Sequence, residues 1–424
     1  MSLDSSHDLI AVAQRAHRTS LELVSKSSNE RANALGRMAD IIRLRQDDIL
    51  EANTLDLEAS REMAVPELIL EWLRLTPERL QTVVQMLQRL RETPDPLQQI
   101  SASQYQVDHC QTYGQLMPLG VVALVYESFP ELGAIAAGLC IRTGNVLILK
   151  GGSEASHSNQ ILTDVLREAL LDAKLPDSCL QLLPSDQGDL TRDLLTLDQY
   201  INLVVPYGRA SLVQQVMRQS TVPVLKTAIG NCYLYWAPSG QFDRVCSIIY
   251  DSHQSEPDPV NAIEKVLVHQ SCETSLLREL FQWLSAKDFV LKGDPPMVEQ
   301  FPELGLADDS EWQQAYLQKV VAFKRVSTLS RAIAWMNQYS SGHANCLVTE
   351  AYLESRTFAT GVNSAMAYIN ASPRFYRDPR QGSPIALGMS NHRGHRWGPI
   401  TLETLTTVKR IAQGDSFYSA TLSR

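Results

Sequence analysis

The sequence predicts an α/β protein: two tandem units, each a parallel sheet covered by helices, under an N-terminal layer of helices. Three observations carry this. Short β-branched runs recur from Pro118 onward, helical stretches separate them, and the runs are apolar without alternation, which is the pattern of strands buried on both faces. With 424 residues, 44% hydrophobic and 20% charged, the chain has enough apolar side chains for two or three cores.

The elements follow in order. Ala34, Leu35, Met38, Ile41, Ile42 and Ile49 recur at helical spacing, and Thr76-Pro77-Glu78 offers an N-cap followed by proline at the first helical position. The period changes at Pro118. Gly120 to Tyr126, Asn145 to Lys150 and Tyr200 to Val205 predict the strands of the first unit. Val266 to Val268, Phe289 to Leu291, Val320 to Phe323, Cys346 to Val348 and Met366 to Ile369 predict those of the second. The expected division is a helical cap and first unit in residues 1–104 and 118–256, a second unit in 257–398, and an arm and tail in 105–117 and 399–424.

Composition excludes several classes. A formal net charge of −9 opposes general nucleic-acid binding, which needs clustered Lys and Arg. The start, Met1 to Asp8, lacks a basic, apolar leader, and no apolar run approaches the ~20 residues of a membrane span. A cytoplasmic protein without membrane contact is expected. Seven cysteines are scattered with no CxxC and no Cys/His cluster. They read as reduced core residues, and no metal site is expected.

The most informative stretch is Glu256-Pro257-Asp258-Pro259-Val260-Asn261-Ala262-Ile263-Glu264-Lys265-Val266-Leu267-Val268-His269. With Lys150-Gly151-Gly152-Ser153-Glu154-Ala155-Ser156-His157-Ser158-Asn159, Asn370-Ala371-Ser372-Pro373-Arg374-Phe375 and Leu402-Glu403-Thr404-Leu405-Thr406, it resembles the γ-glutamyl phosphate reductases, relatives of the aldehyde dehydrogenases. The likeness runs over nearly the whole chain. It implies an aldehyde-dehydrogenase-like fold: a Rossmann-type cofactor domain, a smaller catalytic domain, and an oligomerisation arm near Tyr105 to Gln115 that makes a homo-oligomer. It also implies an NADP-dependent oxidoreductase of proline biosynthesis, in which a cysteine thiolate attacks γ-glutamyl phosphate and NADPH reduces the thioester to glutamate 5-semialdehyde. By the same resemblance Lys150, Gly151, Gly152, Ser153, Glu154 and Gly208 hold the cofactor, and Glu127, Asn370 and Arg374 hold the substrate. The catalytic segment centres on Val260 and Asn261.

The departures from the family pattern concentrate in that site. Val260 stands at the cysteine position and has neither a lone pair nor an ionisable proton. Arg209 replaces a glycine of the second glycine turn, here Pro206-Tyr207-Gly208-Arg209, where it should crowd the ligand; the alternatives are a charge offered to a phosphate and, preferred of the two, a solvated arginine at the helix start. Arg380 and Gln381 fall on the acidic and aromatic ribose contacts. Phe129 replaces a cation, Glu131 a neutral amide and Glu256 an arginine. No substitute nucleophile is evident: Cys232 and Cys246 read as structural, and His253 as a solvated loop histidine that titrates near neutrality. The expectation is a homologue impaired in catalysis with weak or lost NADPH binding. Two alternatives stand beside it: a regulatory or binding protein pairing with an active reductase or with glutamate 5-kinase, and an enzyme of different, non-covalent chemistry.

Overall fold

Five helices open the chain: α1 (Ser2–Leu23), α2 (Ser28–Leu44), α3 (Gln46–Glu62), α4 (Glu67–Leu73) and α5 (Pro77–Glu92). Their ends are written locally. Ser27 and Glu30 form a capping box on α2, and Thr76 caps α5 ahead of Pro77. The computed structural model describes residues 2–102, 110–185, 188–378, 384–394 and 396–414.

Two strands follow, β1 (Ile100–Ala102) and β2 (Cys110–Pro118), and then the first α/β unit: β3 (Val121–Tyr126), α6 (Pro130–Thr143), β4 (Val146–Gly151), α7 (Ser156–Asp172), β5 (Leu180–Leu182), α8 (Gly188–Leu194), β6 (Leu203–Tyr207) and α9 (Ala210–Gln219). The four strands run parallel in the order β5-β4-β3-β6. Their apolar runs are buried on both faces, and α6 is buried along its whole length, as non-alternating strands require.

The second unit comprises β7 (Cys232–Trp236), α10 (Phe242–Ser252), β8 (Ile263–His269), α11 (Thr274–Ser285), β9 (Val290–Gly293), α12 (Pro295–Gln300), β10 (Gly305–Leu306), β11 (Val320–Val326), α13 (Leu329–Tyr339), β12 (Ala344–Val348), α14 (Tyr352–Gly361) and β13 (Met366–Ile369). Its strands form one parallel sheet, β10-β9-β11-β8-β7-β12-β13. The boundary drawn at residue 257 is therefore displaced. β7 pairs with β8 and β12, so the second unit begins before Cys232 and owns the wider sheet, not the smaller one. Gly230 and Asn231, both at positive φ, turn the chain into it.

A short pair, β14 (Met389–Ser390) and β15 (Gly398–Pro399), precedes β16 (Thr406–Gly414), which runs antiparallel along the whole of β2. β1, β2 and β16 form a three-stranded sheet with Ile100 and Val408 exposed. Residues 105–109 of the expected arm and 415–424 of the tail lie outside the described residues. Among the described residues no helix is long and apolar enough to cross a membrane.

Candidate active site

The loop from α10 into β8 carries Val260, which the resemblance places at the nucleophile position. Val260 is fully buried and packs with Phe375, Ala386 and Met389. Its carbonyl accepts from Gly230 N at 2.9 Å and lies 2.7 Å from His343 Nε2. Asn261 turns away, donating through Nδ2 to Pro373 O at 2.8 Å, which fastens the Asn370 to Asp378 loop over Val260.

Cys232, at the start of β7, reaches His343 Nε2 at 3.3 Å. The pair is inert. A carbonyl only accepts, so His343 Nε2 must carry the proton it gives Val260, and it cannot take one from the thiol. Burial pushes the Cys232 thiol well above its usual range and holds His343 down at about 4. His253 differs from expectation. Its Nε2 lies 3.0 Å from Ile263 O and its ring edges onto Phe289. Burial lowers it to about 4, so it is neutral and packed rather than solvated.

Three residues that sequence reasoning missed form a buried network beside the Val260 loop. Tyr207, at the end of β6, donates to Asp258 Oδ2 at 2.6 Å, and Arg377 donates to Asp258 Oδ1 and to the Tyr207 hydroxyl, each at 2.6 Å. All three are buried, and burial holds the Tyr207 phenol neutral, well above its usual range. Phe129 stacks on Trp72 at 4.7 Å between centroids and edges onto Tyr207 at 5.6 Å. The place where the resemblance calls for a cation is thus an aromatic cluster. Tyr207 and Asp258 sit inside motifs already singled out, so a tyrosine and an aspartate there were the available signal.

A cavity of about 500 Å³ lies beside Lys150, Gly151, Gly152, Ser153 and Glu154, the turn that the resemblance assigns to the cofactor. Lys150 Nζ donates to Ser185 O at 3.1 Å. Glu154 accepts from Ser128 N and Oγ at 2.9 and 2.5 Å, and a Cβ on Gly152 would lie 2.3 Å from that carboxylate. The glycine is what lets the turn close. Glu127, expected on the substrate, instead lies here. It accepts from Arg209 N at 2.9 Å and from its guanidinium at 3.1 Å. Gly208 (φ +146) leaves the room this needs, since a Cβ there would meet Glu127 at 2.7 Å. Arg209 accordingly neither lies free in solvent nor offers a bare charge. The first turn of α9, an anion site by its backbone amides and dipole, already holds a carboxylate. Arg380 and Gln381 lie outside the described residues.

A second cavity, about 430 Å³, lies between α5, α6 and the loops around Glu256 and Arg374. Arg374 lines it, paired with Asp251 at 3.1 Å. Asn370 does not face it: its side-chain amide closes on Thr349 N and O at 3.0 and 2.6 Å, which makes it a strand-end clamp. Among the described residues no group of His, Cys, Asp or Glu is placed to hold a metal ion.

Comparison with known proteins bears on the family and the fold. Residues 2–282 match the aldehyde dehydrogenase family. The chain is 50% identical over 414 residues to a Synechocystis protein named γ-glutamyl phosphate reductase 2, covering 97% of this chain and 99% of that one. It is 35% identical to the γ-glutamyl phosphate reductase of Gloeobacter violaceus, covering 96% and 97%. The crystal structure of γ-glutamyl phosphate reductase from Thermotoga maritima superposes with a TM-score of 0.88 at 29% identity, covering 96% of this chain and 99% of the other.

Proposed function

The chain belongs to the aldehyde dehydrogenase family and, within it, to the γ-glutamyl phosphate reductases, and from that premise we propose that it is a member that does not carry out the reduction. One observation carries the reading. The position of the attacking thiol holds Val260, fully buried under Phe375, Ala386 and Met389. Reduction through a thioester needs a sulfur lone pair to displace phosphate from the acyl carbon, and an isopropyl group has none. Cys232 cannot stand in, because His343 is committed as a donor to Val260 O.

When bound, NADPH supplies a hydride. The Lys150 to Glu154 turn suits its adenosine end, whereas Glu127 competes for the α9 terminus. Weak NADPH binding belongs to the same reading. The protein then acts by binding, as a homo-oligomer through the β1-β2-β16 sheet, and regulates an active reductase or glutamate 5-kinase. The test is steady-state turnover of purified protein in both directions, with γ-glutamyl phosphate and NADPH, and with glutamate semialdehyde, phosphate and NADP. No turnover above background is expected. Turnover that persists after Cys232→Ala would end the proposal.

A further inference from the structure

We propose that residues 373–378 form a strap that locks the two units at a single opening, with Arg377 as its pin, so that the cavity of about 430 Å³ between them is preformed rather than shaped by hinge closure. The apolar side chains do not supply this lock. They gather into one core shared by α1 to α5 and the first sheet, and into two further cores on the faces of the second sheet. Two bodies with separate cores move relative to one another unless something else spans them.

The strap is tied to the second unit along its length. Asn261 Nδ2 donates to Pro373 O at 2.8 Å, and Ser255 Oγ donates to Phe375 O at 3.1 Å and accepts from Phe375 N at 3.2 Å. Arg374 pairs with Asp251 at 3.1 Å and Arg377 with Asp258 at 2.6 Å. Its last two residues cross to the first unit. Arg377 donates to the Tyr207 hydroxyl at 2.6 Å, and Asp378 pairs with Arg89 on α5. One guanidinium therefore holds a carboxylate from one unit and a phenol from the other. Tyr207 is fixed in turn: its hydroxyl donates to Asp258, its ring is buried and edges onto Phe129, and a Cβ on Gly388 would lie 2.4 Å from it. The Arg374–Asp251 and Arg89–Asp378 pairs are partly exposed and open to screening by salt, whereas Arg377 and Asp258 are buried. Parting the units would pull a buried guanidinium off one of its partners, so the pin sets the resistance to opening.

The lock concerns motion, so it stands whether or not the chain reduces γ-glutamyl phosphate. The experiment is hydrogen exchange by mass spectrometry, with small-angle X-ray scattering, on the full chain as wild type, Tyr207→Phe, Arg89→Ala and the double variant. These changes cut the ties to the first unit and leave the Arg377–Asp258 pair in place. Amides of residues 254–262 and 374–378 should exchange slowly in the wild type and about tenfold faster or more in the double variant. The double variant should also have a larger radius of gyration, while β4 and β8 stay protected over the same minutes of labelling. Arg89→Ala alone, at a partly exposed site that does not risk the core, should raise exchange at 374–378 severalfold. Fast exchange of the strap in the wild type, an unchanged exchange rate or radius in the double variant, or a rise shared equally by β4 and β8 would overturn the proposal.

Discussion

Restoring the nucleophile is the most direct perturbation. Val260→Cys should recover almost no reductase activity, because burial disfavours the thiolate. Position 260 is fully buried. Elsewhere in this chain burial pushes the Cys272 thiol up to about 11 and the Cys246 thiol up to about 12. A thiol in that range is ionised to roughly one part in ten thousand at pH 7.5, against about one in ten for an unperturbed thiol. The nearby charges do not help, because Arg377 is already paired with Asp258 and Glu256 replaces a cation. The assay is alkylation of the introduced thiol by iodoacetamide across pH 7 to 11, followed by peptide mass spectrometry and run beside steady-state turnover. An apparent pKa of about 10 or higher, with turnover below about 1% of an intact reductase, is expected. A pKa below about 8, or near-normal turnover, would refute the argument that burial and lost cations disable the site. Adding Glu256→Arg should lower the pKa by about half a unit or more, since the position is exposed and tolerates the change. Phe129→Arg should not help, because it would bury an unpaired guanidinium against Trp72 and Tyr207.

Further outcomes rest on the buried groups. Arg377→Met strands the Asp258 carboxylate and should cost about 3–5 kcal/mol in urea unfolding, whereas Tyr207→Phe should cost about 1–3 kcal/mol; a loss below about 1 kcal/mol for Arg377→Met would mean the network is not coupled. His343 titrates at about 4 in the folded protein and near 6.5 unfolded. Its contribution is complete above pH 6.5 and is lost as pH falls toward 4, about 2 kcal/mol by pH 5. Denaturant midpoints at pH 7 and pH 5 for wild type and His343→Asn check this, since the variant should lose that part of the pH dependence. Glu127→Gln removes the carboxylate charge held at the α9 terminus and should tighten NADPH binding severalfold by fluorescence titration; unchanged or weaker binding would show that Glu127 does not compete with the cofactor.

The parallel α/β strands, the Thr76 cap of α5 and the valine at position 260 were all legible in the amino-acid sequence. Each depends on local information: period, cap residues, and the identity of one side chain in a motif. The strand β7 was not legible, because its place in the wider sheet is set by pairing with β8 and β12 rather than by its own pattern. Glu127 was readable as a motif residue but not as a partner of Arg209, 82 positions away. The Tyr207, Asp258 and Arg377 network spans 51 to 170 positions, and Glu131 meets Glu256 in one cavity only because α6 faces the loop before β8. Such meetings are decided by how the two sheets and their connecting loops pack. Whether a given charge is buried, paired or left open is a property of that packing, since the partner that neutralises it comes from a distant part of the chain.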